Sequence, residues 1–345
     1  MNVRDTFNLL PEIFLDTRIN KVKTSPDIEV IPHVALCEYL PDFDLNGDSR
    51  ILAMQTDAWR DKWIDNKSGK MIYGGIKKMF DNRHTSLLLS AEVITDHIPI
   101  PAIHYPMWAT NTAKINQGKT FDVFNDRRFL ADVLLGGYTE YRADIFNALK
   151  DVGLINKCLV MINDRSDGRG GVNYRTPALS QLDDPAFITT SLVDGKMFTM
   201  LGNAGHMPGQ INYLSQNISP KIYENSYISL VAETEHNNKN KYLMSEKTFK
   251  PMVGKRPFVV YADPGHLAAL KDLGFRTFDK WIDEDYDQIH DDSRRIKALV
   301  GSILEFNKTD KDSTIRDMRE VLEHNHNLCY NYKHWITPVV NRIFA

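Results

Sequence analysis

SYISLVAETEHNNKNKYLMSEKTFKPMVGKRPFVVYADPGHLAALKDLGFRTF, residues 226–278, decides the fold class. Tyr227-Ile228-Ser229-Leu230-Val231 is short, apolar and β-branched, which predicts a buried strand. An acidic and polar loop follows from Glu233 to Lys241. Ser245 then stands where an N-cap belongs, with Glu246 in the first turn of a helix. A second apolar run, Pro257 to Tyr261, leads into Ala262-Asp263-Pro264-Gly265, a turn signal. His266 to Leu273 reads as a helix closed by Gly274. Strand, loop, helix, strand, turn and helix make a βαβα unit, which requires a parallel sheet and an α/β fold.

In such sheets ligands sit beyond the carboxyl ends of the strands, near helix N-termini. Glu246, Lys247 and Lys250 fall at that edge. A carboxylate can accept both hydroxyls of a ribose, and ammonium groups can neutralise a diphosphate. The same three residues also make an ordinary solvated helix start.

The segment resembles the nucleotide-sugar-binding half of GT-B glycosyltransferases. It is most similar to a set of phage-encoded glycosyltransferases, whose pattern glu-lys-thr-phe-lys-pro, then pro-phe, then a pro-gly-x-leu turn is matched by Glu246–Pro251, Pro257-Phe258 and Pro264–Leu267. More distantly it resembles the α-1,3-fucosyltransferases, which carry tyrosine-x-thr-glu-lys ahead of a helix. Tyr242-Leu243-Met244-Ser245-Glu246-Lys247 stands in that place, with one extra residue and Ser for Thr. The likeness covers about fifty residues and is weak elsewhere. It implies a GT-B-like α/β architecture: two Rossmann-like domains whose parallel sheets face a cleft. The expected division is 1–115 for the acceptor side, 116–312 for the nucleotide-sugar side, and 313–345 for a C-terminal helix crossing back.

The chain has 345 residues, enough for two cores, and a net charge of −3, which supplies no overall basic field for nucleic acid or membrane. Cys37, Cys158 and Cys329 are far apart and lack metal-ligand spacing, so they read as reduced thiols. The first residues lack the apolar stretch of a signal peptide, and no apolar run reaches membrane-span length. A cytoplasmic protein, of a bacterium or of an infected host cell, is the expectation.

Glu29–Ala35, Arg50–Met54 and Ser86–Ala91 read as strands of the first half. Lys67, Lys70, Lys77, Lys78 and Arg83 stand against Asp81 alone in one basic, glycine-containing stretch. Such a stretch can contact phosphate backbones or simply be a solvated helix face. Glu92 follows the third strand directly, with Asp96 close behind. A GT-B acceptor domain needs a carboxylate at a strand end to remove the acceptor hydroxyl's proton. Glu92 is the first candidate, since the fucosyltransferases place a glutamate similarly, and Asp96 is its rival. Either also serves as a loop cap. Asn111 to Thr120 is polar and aperiodic, so it reads as the interdomain linker.

Glu140 to Leu149 is an amphipathic helix in which Arg142, Phe146, Ala148 and Leu149 follow the fucosyltransferases' arg-asn-x-phe-x-x-ala-leu order. That resemblance gives Arg142 the donor's diphosphate. A guanidinium at a helix start supports the same role physically, and a surface salt bridge is the plainer alternative. Cys158–Asn163 is a further strand, and Ser293–Phe306 and Ser313–Tyr330 are long helices. The acidic run Asp279–Asp292 lacks the spacing of a calcium loop.

The expected function is transfer of a sugar from a nucleotide-diphosphate sugar, UDP-linked by preference, to a hydroxyl by direct inverting displacement. Arg142, Glu246, Lys247 and Lys250 would hold the donor, with no metal or other cofactor required. The phage resemblance suggests 5-hydroxymethylcytosine in double-stranded DNA as acceptor, with a hexose or pentose such as glucose or arabinose, and no membrane partner. The alternatives are a glycan or protein acceptor, as for the fucosyltransferases, and a non-catalytic nucleotide-sugar or nucleic-acid binder on the same fold.

Overall fold

The computed structural model describes residues 28–32, 50–55, 86–90, 92–94, 102–104, 106–122, 127–137, 139–163, 174–177, 218–233, 241–331, 333–335 and 337–338. In chain order the elements are β1 (Ile28–Pro32), β2 (Arg50–Gln55), β3 (Ser86–Ser90), β4 (Glu92–Ile94), β5 (Ala102–His104), α1 (Met107–Ile115), β6 (Phe129–Gly137) and α2 (Glu140–Asp151). They continue with β7 (Cys158–Asn163), β8 (Tyr174–Arg175), α3 (Pro220–Asn225), β9 (Ser226–Ala232), β10 (Lys241–Leu243), α4 (Glu246–Val253), β11 (Phe258–Tyr261), α5 (His266–Asp272), α6 (Asp292–Phe306), α7 (Lys311–Asp317) and α8 (Arg319–Tyr330).

The fold is α/β. A four-stranded sheet runs β1-β2-β3-β5 with every pairing parallel, in registers such as Ile28 against Arg50 and Leu88 against Ala102. A five-stranded sheet runs β11-β9-β6-β7-β8; its first four strands are parallel and β8 is antiparallel at the edge. β4 pairs antiparallel with β10 as a separate two-stranded ribbon.

The parallel pairing follows from sequence. Strands covered by helices on both faces read as unbroken apolar runs, and every residue of β9 and of β11 is buried. α4 lays Phe249, Met252 and Val253 into the core and packs against α1 and α8. α6 buries Ile296, Leu299, Val300, Ile303 and Phe306 along one stripe and packs against α2. Each such side chain contributes about 1.5–3 kcal/mol relative to exposure. α5 ends in a Schellman motif: Gly274 sits at φ +90°, Phe275 N–H donates to Leu270 O and Gly274 N–H to Lys271 O.

Two readings of the chain change. The expected linker 111–120 begins inside α1, and only 116–120 lies beyond it. Small residues, Ala109, Thr112 and Ala113, bury the middle of that helix against the core, and its large apolar residues, Met107, Trp108 and Ile115, stand only at its ends. Asn116 then ties it down, donating from Nδ2 to Thr112 O at 2.7 Å and accepting from Ile218 N–H at 2.9 Å. The single C-terminal helix expected over 313–330 is two, α7 and α8, broken at Met318, whose fully buried side chain lies at the joint.

Candidate functional site

Among the described residues three helices begin at the carboxyl edge of the five-stranded sheet: α2 after β6, α4 after β9 and β10, and α5 after β11. Glu233, the residue after β9, joins the first two. Its carbonyl oxygen accepts from the Tyr141 hydroxyl and, at 3.3 Å, from Arg142 Nη2. Its carboxylate accepts from Ser245 N–H at 3.0 Å, from the Ser245 hydroxyl at 2.6 Å and from the Thr248 hydroxyl. Ser245 also caps α4 as its position predicts, accepting from Lys247 N–H at 3.2 Å.

The start of α4, where a ligand's anion would be sought, is therefore filled by the protein's own carboxylate. α5 repeats the arrangement. Leu267 N–H donates to both carboxylate oxygens of Asp287 at 3.2 Å. Burial pushes the Asp287 carboxyl up to about 6, against the pull of those amides. α2 differs: its N-cap residue, Thr139, makes no side-chain cap. β6 ends in Gly136 and Gly137, and the β6–β7 register shifts between Leu134 and Gly137. A strand ending in paired glycines ahead of an uncapped helix is the geometry by which backbone amides approach a phosphate. Reading the sequence around Arg142 alone misses this strand end; the glycine pair closing β6 was its signal.

The residues expected at the donor site lie on this edge in different states. Arg142 is buried, with Nη2 turned onto the carbonyl oxygens of Ala232 and Glu233 at 3.5 and 3.3 Å. Glu246 is also buried and accepts from Lys247 Nζ at 2.8 Å. Burial pushes its carboxyl up, but Lys247, through charge and hydrogen bond, and Lys250 outweigh that and hold it below its ordinary value. Lys250, one turn further along, is half-buried, and its ammonium has no hydrogen bond or ion pair among the described residues. Burial lowers its ammonium to about 8, with Glu246 and Asp132 acting the other way.

Glu92 opens β4, where it pairs with Leu243 of β10, two residues ahead of Ser245. The ribbon thus brings the backbone of the strand bearing Glu92 to within one strand spacing, about 5 Å, of the approach to α4. Asp96 and the basic residues Lys67, Lys70, Lys77, Lys78 and Arg83 lie outside the described residues.

Behind Glu233, the Thr248 hydroxyl lies 3.4 Å from Nε2 of His266, whose ring meets the Tyr242 ring edge-on. Burial drives the imidazole down to about 4, with Glu233 opposing, so it is neutral in the fold near pH 7. Between pH 6.5 and about 4 the unfolded chain binds a proton that the folded chain refuses, so this group's stability is lost as pH falls through that window. Asp287 works oppositely there, since its raised pKa makes the folded state the better proton acceptor. The His266 contribution is isolated by His266→Gln. The stability difference between wild type and variant, read by urea unfolding, should fall by about 2 kcal/mol between pH 7.5 and pH 4.5. An unchanged difference would mean that the imidazole titrates normally.

Among the described residues no three His, Cys, Asp or Glu side chains group as metal ligands, and no helix is long and apolar enough to cross a membrane. Several acids of 279–292 act as local acceptors: Glu284 accepts from the Thr277 hydroxyl and from Phe278 N–H, Asp287 holds α5, and Asp291 caps α6. Comparison with protein-family models, with curated proteins and with solved structures finds no match.

Proposed function

We propose that the chain is a nucleotide-sugar-dependent glycosyltransferase of GT-B-like, two-domain build, with its donor at the carboxyl edge of the five-stranded sheet. One observation carries this reading: of the three helices starting there, α4 and α5 are stoppered by Glu233 and Asp287, whereas α2, behind Gly136-Gly137, has no side-chain cap. The diphosphate sits at that helix start. Lys247 and Lys250 add positive charge from α4, and Arg142 adds its charge from the first turn of α2 while remaining bonded to the end of β9. Glu246 takes the ribose hydroxyls. Glu92, on the strand paired with β10, removes the proton from the acceptor hydroxyl as it attacks the anomeric carbon, with inversion. The leaving diphosphate is stabilised by the helix amides and lysines, a charge arrangement that requires no metal.

The acceptor assigned first is 5-hydroxymethylcytosine in double-stranded DNA, with the basic stretch 67–83 on the phosphate backbone; a glycan or protein hydroxyl is the second. A non-catalytic binder would share the donor site and lack turnover. The test is a panel of UDP- and GDP-sugars by thermal shift, followed by transfer onto hydroxymethylated and unmodified DNA. Stabilisation by one nucleotide sugar, lost in Glu246→Ala and Lys247→Ala, with sugar appearing only on hydroxymethylated DNA, is the expected result. No response to any nucleotide sugar removes the donor site, and donor binding without turnover on any acceptor selects the binder.

A further inference from the structure

At the opposite, amino edge of the same sheet two arginines are enclosed. Arg127 lies two residues ahead of β6 and Arg256 two residues ahead of β11, on the two strands flanking β9. Arg256 is 1% exposed and Arg127 8%. Nε, Nη1 and Nη2 of Arg256, and Nε and Nη2 of Arg127, are buried with no hydrogen-bond partner among the described residues. The guanidinium of Arg127 lies within Coulomb reach of Arg256; burial and then Arg127 lower Arg256 to about 9.

The groups around them do not supply the missing acceptors. The guanidinium of Arg256 lies 5.8 Å over the Tyr223 ring, and that of Arg127 lies 5.4 Å over the Tyr227 ring, whose vicinity Lys311 shares at 5.7 Å. Ring faces stabilise the charge but leave the N–H groups unbonded. The Tyr223 ring is held close against the backbone: a Cβ built on Gly254 would lie 2.5 Å from its Cδ2. Asp132, the buried carboxylate of this region, spends Oδ1 on the hydroxyls of Ser226 at 2.7 Å and Ser229 at 2.9 Å and forms no ion pair with either arginine. Asp132 and then Glu224 act on Arg256, and Asp312 and Asp122 on Arg127, by charge through space without a hydrogen bond to either guanidinium among the described residues.

Buried guanidinium donors each cost a substantial desolvation when unbonded, and two like charges side by side call for an opposite one. A tetrahedral oxyanion answers both needs, because its oxygens accept from forked N–H pairs on two sides. We propose that Arg127 and Arg256 enclose a small oxyanion, phosphate or sulfate itself, at the amino edge of the sheet, remote from the carboxyl-edge site. The degree of enclosure selects the free ion over a phosphate carried on a larger molecule.

The experiment is thermal unfolding of the full chain against phosphate, sulfate, phenyl phosphate and chloride at fixed ionic strength, with calorimetric titration for stoichiometry. Phosphate and sulfate should raise the melting temperature saturably, by on the order of 5 °C at a hundredfold excess over the dissociation constant, with one ion per chain. Phenyl phosphate and chloride should not. Arg256→Met and Arg127→Met should each abolish the response. Arg256→Met should otherwise melt at or above wild type in the absence of oxyanion, because removing an unpaired buried charge relieves its desolvation. Lys247→Ala should leave the response intact. The proposal is overturned if neither ion stabilises wild type, if phenyl phosphate matches phosphate, if the response survives in either methionine variant, or if Lys247→Ala is what removes it.

Discussion

Glu233→Ala should destabilise the protein by about 3–5 kcal/mol, the largest effect expected of a polar substitution at the carboxyl edge. The carboxylate is almost fully buried and accepts three hydrogen bonds: two from Ser245 and one from Thr248. Its removal strands a main-chain N–H and two hydroxyls in the interior, each worth about 1–3 kcal/mol when left unbonded. The negative charge is also lost from the positive end of α4, where a partly buried partner contributes up to about 2 kcal/mol. Some of this is recovered by rotation of the two hydroxyls, which keeps the total below the simple sum. Glu233→Gln retains one acceptor oxygen and should lose about 1–2 kcal/mol. The bonds from the Tyr141 hydroxyl and the Arg142 guanidinium reach the main-chain carbonyl of residue 233 and survive both changes. Urea unfolding of wild type and the two variants at pH 7 reads the order directly. An alanine variant within 1 kcal/mol of wild type would show that the cap contributes little.

Glu233 marks how much of this site the sequence discloses. Ser245 is legible because an N-cap is a local device: the hydroxyl reaches an amide two residues on. Glu233 reads as one acid in a polar loop because its partners lie 12 and 15 residues away and are brought to it only when β9 and α4 pack. The same division runs through the fold. β9 and β11 announce themselves as short apolar runs, and their parallel pairing follows from the helix between them. α1 hides because alanine and threonine, not leucine, line its buried face. The break at Met318 hides because helix propensity continues across it. Arg256 occupies a Gly-Lys-Arg-Pro segment that reads as an exposed turn, yet it is among the most deeply buried side chains. Charge alone gives no sign of burial, since long cationic side chains are ordinarily found at the surface.

Glu92→Gln should lower the rate of sugar transfer by about 10²–10⁴-fold while leaving the donor's dissociation constant within about twofold of wild type. The separation of the two effects follows from where the residue lies. β4 and β10 form a two-stranded ribbon with Glu92 opposite Leu243, so the strand carrying the proposed base abuts the segment that leads to Ser245 and Glu246 at the start of α4. A base acting on the acceptor hydroxyl makes its contribution as the proton leaves, not when the donor binds. The glutamine is nearly isosteric and keeps the strand's backbone pairing, so it removes proton acceptance with little else. The rate profile of wild type should fall on the acid side as the base protonates, and the variant should lose that limb. Asp96→Asn run in parallel decides between the two carboxylates: a large loss there with Glu92→Gln near wild type transfers the role to Asp96. If both variants transfer sugar at rates within a few-fold of wild type, neither carboxylate is the base, and the ribbon serves to hold the approach to α4 in place.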